Sequence, residues 1–367
     1  MLYHYFLSLK DSISIFNLFE YITFRSAISA ITALIISFII GPYVIKKLKK
    51  HQIGEEIRNN GPKTHLVKKG TPTMGGVIII IASLLPTLLF SNLNNTLVLI
   101  VIVATIWMGI IGFIDDYMKV IKKLEKGMVA RYKMIGQITL GILISYWIVN
   151  SNDFFGFNTK TTVPFLKNIE IDLGIIYPLF VIIVITATSN AVNLTDGLDG
   201  LAIGLLAICF SVFATISYIT GRTDFSDYLN ILYLPGAGEL SIFSSAMVGA
   251  CLGFLWFNTS PAEIFMGDTG SLSTGAALGT LAILLKKELL LFIIGGVFVF
   301  ETISVIIQVA FYRYTKDKYG KGKRFFNMAP IHHHYELAGI KESKIVVRFW
   351  IVGILLALFS LATFKIR

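Results

Sequence analysis

Charge is what this chain has least of. Only 15% of its 367 residues are Asp, Glu, Lys or Arg, against 55% hydrophobic, and the mean hydropathy is +0.74. A soluble domain covers its surface with about a quarter charged residues, so an ordinary water-soluble enzyme and a disordered regulator are both excluded. Cysteine is nearly missing as well. Cys209 and Cys251 both lie inside apolar runs, which excludes a disulfide framework and a cysteine-built zinc site. What remains is hydrophobic sequence in long runs, and the class it defines is an all-α, polytopic integral membrane protein.

About 20 mainly apolar residues carry a helix across ~30 Å of hydrocarbon. Ten such runs occur, near 24–45, 75–91, 96–114, 134–150, 174–190, 200–220, 241–257, 269–285, 289–311 and 345–364. Pro42, Pro86 and Pro178 fall inside them, which membrane helices tolerate where neighbours satisfy the freed backbone groups. The N-terminal segment has no basic leader and no small-residue cleavage site, so it is expected to be a short retained arm. With ten spans, the connections 46–74, 115–133 and 312–344, the last extended through Arg348, share one face. They hold 23 of the 32 lysines and arginines. The positive-inside rule makes that face cytoplasmic and both termini periplasmic. Segments 151–172 and 221–240 are then the longer external loops. A single transmembrane catalytic domain is expected over 1–367, with cytoplasmic loops near 46–74, 115–133, 191–199, 258–268 and 312–344. The formal charge of +10 raises a nucleic-acid partner, but no nucleic-acid motif accompanies it, and the basic residues read as topology determinants facing anionic headgroups.

The scarce ionisable residues are grouped. Asp115 and Asp116 close the third run, Asp196 and Asp199 follow the fifth, Asp268 follows the seventh, and His332, His333 and His334 lie in the last basic connection. All of them fall on the face that the lysines and arginines mark as cytoplasmic. A helix C-terminus disfavours anions, so Asp115–Asp116 calls for a metal or lysine beside it, unless it is only a solvated interfacial pair. Asn190, Asn193 and Asp196 recur every third residue and line one side of a helix end, where lipid would penalise them and a cavity would not. Asp199 reads equally as a cap on the next helix. Asp268, with Asn258 nearby, precedes a helix start whose free N–H groups favour phosphate. Three consecutive histidines would fan around a helix, and Ala329-Pro330 breaks helix, so a loop is expected to bring two of them together. Lys68 precedes a Gly–Pro turn, where it either anchors the chain at the surface or meets a phosphate. Glu301 lies in mid-run, with Gln308 on a similar face. A charge at the bilayer centre costs about 2.5–3.5 kcal/mol, so Glu301 requires a cavity, a partner helix or a proton, or else makes a purely structural hydrogen bond.

Carboxylates, amides, lysines and histidines on one face suit phosphoryl transfer from a soluble nucleotide to a membrane-embedded phosphate. The difficulty is bringing two anions together, which Mg²⁺ on carboxylates and lysines on phosphate oxygens overcome. The motifs GTPTMGG (70–76), GFIDDYMKV (112–120), NAVNLTDGLDG (190–200), WFN (256–258), MGDTGS (266–271) and MAPIHHHYE (328–336) extend over essentially the whole chain. In that order the sequence resembles the phospho-N-acetylmuramoyl-pentapeptide transferases, a branch of the polyprenyl-phosphate N-acetylhexosamine-1-phosphate transferase superfamily.

The resemblance implies a multi-pass protein of the bacterial inner membrane with ten spans and both ends periplasmic. It implies transfer of phospho-MurNAc-pentapeptide from UDP-MurNAc-pentapeptide to undecaprenyl phosphate, giving lipid I and UMP. By the same resemblance Asp268 is the Mg²⁺ ligand, and Asp115 and Asp116 are the catalytic acidic pair, acting as nucleophile, base or metal aid. Lys68 and Lys119 would contact phosphate. Asn190, Asp196, Asn258 and Phe265 would be uridine-side or cavity residues, with Thr73, Asn193, Gln308 and His332 to His334 as further substrate contacts. A homodimer is also implied. Direct attack by the lipid phosphate is preferred to a covalent Asp115 intermediate. A proton-coupled transporter is the alternative, with Glu301 its best witness. It would place polar groups at mid-membrane in several helices, whereas here they gather at span ends.

Overall fold

The computed structural model describes residues 2–50, 70–120, 122, 127–151, 154, 156–166 and 169–365. Helix dominates, as the apolar runs require. A short α1 (Leu2–Ser8) and a 3₁₀ turn lead into α2 (Ile22–Lys50), followed by α3 (Gly76–Phe90), α4 (Thr96–Val120) and α5 (Ala130–Asn150). After a hairpin of β1 (Lys160–Thr162) and β2 (Glu170–Asp172) come α6 (Tyr177–Thr195), α7 (Leu201–Thr220), the short α8 (Thr223–Leu229) and α9 (Glu239–Asn258). The chain then forms α10 (Gly267–Leu284), α11 (Glu288–Ile294), α12 (Gly296–Tyr319), α13 (Ile331–Leu337) and α14 (Glu342–Ala362). Among the described residues eight helices are long and apolar enough to cross a membrane: α2, α4, α5, α6 (counted from Gly174), α7, α9, α12 and α14. The protein is therefore all-α and multi-pass.

Every expected run carries a helix, but three expectations need correction. The run at 289–311 is not one helix. It breaks at Gly295–Gly296 into α11 and α12, because two consecutive glycines supply the weakest helix-forming pair in that stretch. The two connections expected to be loops are not all loop: in 151–172 two strands pair antiparallel, Thr161 opposite Ile171, and 221–240 holds the helix α8. The histidine triplet, expected in a loop, occupies the helix α13, because Pro330 stands at its N-cap, outside the helix, where a missing N–H costs nothing.

The centre of the bundle is α10, in which every residue from Asp268 to Leu284 is buried. Its sequence, GDTGSLSTGAALGTLAIL, is rich in small residues, which let neighbouring backbones approach closely in the absence of a hydrophobic driving force between membrane helices. A β-carbon built on Gly76 would fall 2.0 Å from Gly270 N, and one on Gly275 would fall 2.6 Å from Ser189 Cα. α10 thereby touches both α3 and α6 at backbone distance. The outer helices show the opposite pattern: Ile39, Trp256, Ile306 and Leu355 are exposed, an apolar surface suited to lipid.

Candidate active site

The C-terminal turn of α4, the N-termini of α5 and α10 and the C-terminus of α6 meet at one end of the bundle. Gly112 makes this possible, since a β-carbon there would lie 2.2 Å from the Asp268 carbonyl oxygen. Asp115 is fully buried. Its Oδ1 accepts the Met128 N–H at 2.6 Å, and its Oδ2 meets Lys119 Nζ at 2.6 Å and Lys133 Nζ at 2.8 Å. Asp268 Oδ2 meets the same two amines, Lys119 at 2.9 Å. Its Oδ1 accepts Asn193 Nδ2 at 2.6 Å, and Asn193 also donates to Ser271 Oγ at 2.8 Å. Two carboxylates and two ammonium groups thus form a closed ring of charge-assisted bonds. The lysine side chains are the exposed part of it, 34% for Lys119 and 20% for Lys133.

Asp116 points elsewhere, as adjacent helical residues about 100° apart must. It accepts the backbone N–H of Asp268 at 3.1 Å and of Thr269 at 2.9 Å, and the Thr269 hydroxyl at 2.6 Å. The carboxylate therefore caps α10 from another helix, at the positive end of that helix's dipole. α4 runs on to Val120, so the two acids lie inside the helix rather than at its end, and their burial is offset in two ways: lysines for Asp115 and a borrowed helix N-terminus for Asp116. Gly267 is in the left-handed region (φ +70°), and a β-carbon there would lie 2.6 Å from Asp116 Oδ2 and 2.8 Å from Thr73 Oγ1. Buried Thr73 thus borders the same cap. Oxygens of Asp115, Asp116 and Asp268 lie within 4.8 Å of one another.

The remaining expected residues stand around this core. Asn190 donates to Gln137 Oε1 at 3.2 Å and to the Thr186 carbonyl at 2.8 Å. Asn258 is 3% exposed, and its amide is used by the backbone: it accepts the Gly200 N–H at 3.0 Å and donates to the Ile264 carbonyl at 2.9 Å. It ties the 196–200 turn to the 259–266 loop, where the Ala262 N–H bonds Asp199 Oδ2 at 3.1 Å. Half-buried Phe265 pairs its backbone with Pro72 and Gly75. Asp196 is half-buried at the end of α6. Gln308 is far from idle: its Oε1 accepts the N–H groups of Phe325 and Phe326, holding that loop to α12. His332 is fully buried, His333 contacts Glu336 at 3.1 Å, and His334 Nδ1 accepts the Asn327 N–H at 3.2 Å. Just past the end of α6, Gly197 packs on the His332 ring, so α13 and the carboxylate ring both lie at the C-terminal end of α6. Lys68 lies outside the described residues. The sequence reading passed over Lys133, counting it only as a topology charge. Its place in the first turn of α5, directly after the loop that leaves Asp115, was the available signal.

Residues 98–286 match the profile described as Glycosyl transferase family 4, and residues 68–80 match phospho-N-acetylmuramoyl-pentapeptide-transferase signature 1. Over the full length of both chains, the sequence is 51% identical to the phospho-N-acetylmuramoyl-pentapeptide-transferase of Citrifermentans bemidjiense and 50% identical to that of Thermodesulfovibrio yellowstonii. It is 51% identical to the one from Chloroherpeton thalassium over 95% of this chain and 94% of that one. The chain belongs to the phospho-N-acetylmuramoyl-pentapeptide-transferase family.

For a phospho-N-acetylmuramoyl-pentapeptide-transferase family member the donor chemistry is apt. The three clustered side chains offer only hard oxygen atoms, the kind that hold Mg²⁺ or a similar divalent cation. Asp116 beside the neutral ring makes three carboxylates against two lysines, so the cluster as a whole carries one negative charge in excess. The residues present therefore fit a bound cation, while the exposed ammonium groups of Lys119 and Lys133 offer themselves to phosphate oxygens.

Proposed function

We propose that this chain transfers phospho-MurNAc-pentapeptide from UDP-MurNAc-pentapeptide to undecaprenyl phosphate, forming lipid I and releasing UMP, at the cytoplasmic face of the bacterial inner membrane. The observation that carries the site assignment is the ring of Asp115, Asp268, Lys119 and Lys133, solvent-reachable chiefly through its lysines. The family relationship supports the nucleotide-sugar-peptide donor and the lipid carrier. The distribution of lysine and arginine supports ten spans in one catalytic domain with both termini periplasmic. The homodimer remains part of the proposal by resemblance.

Asp268 and Asp115 would hold Mg²⁺, which when bound supplies neutralisation of the donor diphosphate and of the departing UMP. Lys119 and Lys133 exchange their carboxylate partners for phosphate oxygens and so draw the two anions together. Asn193 orients the Asp268 carboxyl, and Asp116 holds the α10 N-terminus that carries it. The lipid phosphate is already an anion, so orientation and charge cancellation matter more than a strong general base. Asp115 as covalent nucleophile is disfavoured: it is fully buried, with both oxygens engaged by the Met128 N–H and two lysines. Mass spectrometry of products after mixing purified protein, undecaprenyl phosphate and Mg²⁺ with either UDP-MurNAc-pentapeptide or UDP-GlcNAc tests the proposal. Lipid I and UMP from the muramoyl donor alone are expected. A GlcNAc-phosphate lipid, or ion flux in liposomes without any UMP, would overturn it.

A further inference from the structure

Glu301 on α12 and His332 on α13 are both fully buried, with Oε2 and Nδ1 3.1 Å apart. Neither oxygen of this carboxylate, and neither nitrogen of this ring, completes a well-aligned hydrogen bond among the described residues. Buried polar groups without partners are rare and costly, and here two such groups face only each other. The opposite edge of the imidazole is blocked: a β-carbon at Gly197 would fall 2.3 Å from Nε2 and 2.9 Å from Cε1. His332 is thus a wedge between α12 and the turn that follows α6. That turn is tied to the site through α6 and is held in place by α9 and α14. Asn193 binds Asp268, Gly200 is held by Asn258, and the Asp199 N–H bonds Glu342 Oε1 at the start of α14. The His333 ring leans on the His332 ring, centroids 4.2 Å apart.

We propose that Glu301 is a positioning residue for the transfer reaction, acting through His332 to set the histidine helix and the 196–200 turn against the carboxylate ring. With a second proton on Nε2, a proton between Nδ1 and Oε2 serves equally whether it is written on the ring or on the acid, because either state leaves the pair neutral overall, the only inexpensive condition for a fully buried pair. It fixes which ring edge faces α12 and which faces Gly197, much as a carboxylate orients the imidazole of a metal-ligating histidine. Among the described residues the only ion-pair distance Glu301 makes is to His332, so its effect on transfer is assigned to that ring. The sequence reads this carboxylate as one that needs a cavity, a partner helix or a proton, and His332 on α13 is the partner.

The inference rests on the transfer reading, and wild-type UMP release in the same assay keeps the two separable. An inactive wild type sinks the reading, while normal variants sink only the inference. Glu301→Gln preserves shape and removes the shared proton. It is expected to lower kcat about tenfold or more, with the KM for the nucleotide donor within about threefold and the detergent thermal midpoint unchanged. Glu301→Ala and His332→Ala should be non-additive, the double variant no slower than the slower single one. Gly197→Ala, which presses the wedge from its other side, should give the same kcat-dominated loss, and it decides the question if the Glu301 variants fail to fold. Wild-type kcat in Glu301→Gln, multiplying losses in the double variant, or losses of kcat that only follow a falling thermal midpoint would each overturn the proposal.

Discussion

Both ends of α10 bury charge, and they bury it differently. At the N-terminal end, each charged group of the Asp115, Asp268, Lys119 and Lys133 ring meets an opposite charge, and the lysines reach solvent. Just past the C-terminal end, in the corner between α10 and α11, Lys286, Lys287 and Glu288 are 0%, 6% and 1% exposed and lean mainly on neutral groups. Lys286 donates to the Asn158 carbonyl and the Tyr177 hydroxyl, each at 2.9 Å, with the Phe154 and Tyr177 rings under its ammonium. Lys287 donates to Thr162 Oγ1, and Glu288 accepts from Thr161 Oγ1, so the corner clasps the β1–β2 hairpin. Burial pushes Lys286 and Lys287 down to about 8 and Glu288 up to about 7. A charge paired at a rim can exchange its partner for a ligand. A charge sealed among hydroxyls and rings can only hold structure.

That contrast breaks most visibly at Asp268. Asp268→Asn should lower UMP release about a thousandfold or more, on the scale of losing a major electrostatic contributor, and chelating divalent cations should stop wild-type turnover while circular dichroism stays unchanged. Activity near wild type at ordinary Mg²⁺ would remove Asp268 from the metal. Next comes Lys133→Met, expected to cost about a hundredfold in kcat/KM with little change in thermal midpoint. Were this variant merely unstable, the two ends would not differ in kind.

The matching change at the other end is Lys286→Met. It strands the Asn158 carbonyl and the Tyr177 hydroxyl, a loss of about 1–3 kcal/mol, and should leave the activity of the folded fraction within about twofold. Thermal midpoints in detergent against pH sharpen the contrast further. Lys286 and Lys287 release their protons near pH 8 when folded but near their ordinary 10.5 when unfolded, so the unfolded chain binds more protons across that window and stability rises with pH there. Glu288 works the other way between its ordinary 4.5 and about 7, where stability falls as pH rises. The penalty of this corner is therefore greatest between about pH 7 and 8, and the alkaline rise should vanish in the Lys286→Met, Lys287→Met double variant. The smallest effect belongs to Asp116→Ala, a lost helix cap worth about 0.5–2 kcal/mol, with activity falling only as far as α10 shifts.

The helices and the end of the bundle where the site lies were legible from the sequence, because an apolar run long enough to cross a bilayer has few alternatives to helix. So were Asp115 and Asp268, since acids at the ends of such runs need a reason. Less was legible of their division of labour. Nothing in GFIDDYMKV tells Asp115 from Asp116, yet one meets two lysines and the other caps α10. Asn258 reads as a uridine-side or cavity residue and Gln308 as a substrate contact, and the sequence does not show that their amides also hold the backbone of neighbouring loops. The histidine triplet read as one motif, and its three rings have three different neighbours.

Hydrophobic length and the scarcity of charge by themselves determined a multi-pass helical protein with its ionisable groups at helix ends, since the cost of placing a charge in hydrocarbon acts on each residue separately. Which lysine faces which acid, that Lys133 belongs to the ring and that Glu301 meets His332 were decided only by tertiary structure. Those pairings join segments 18, 149 and 31 residues apart, and the small residues that bring the backbones together record close approach without naming the partner.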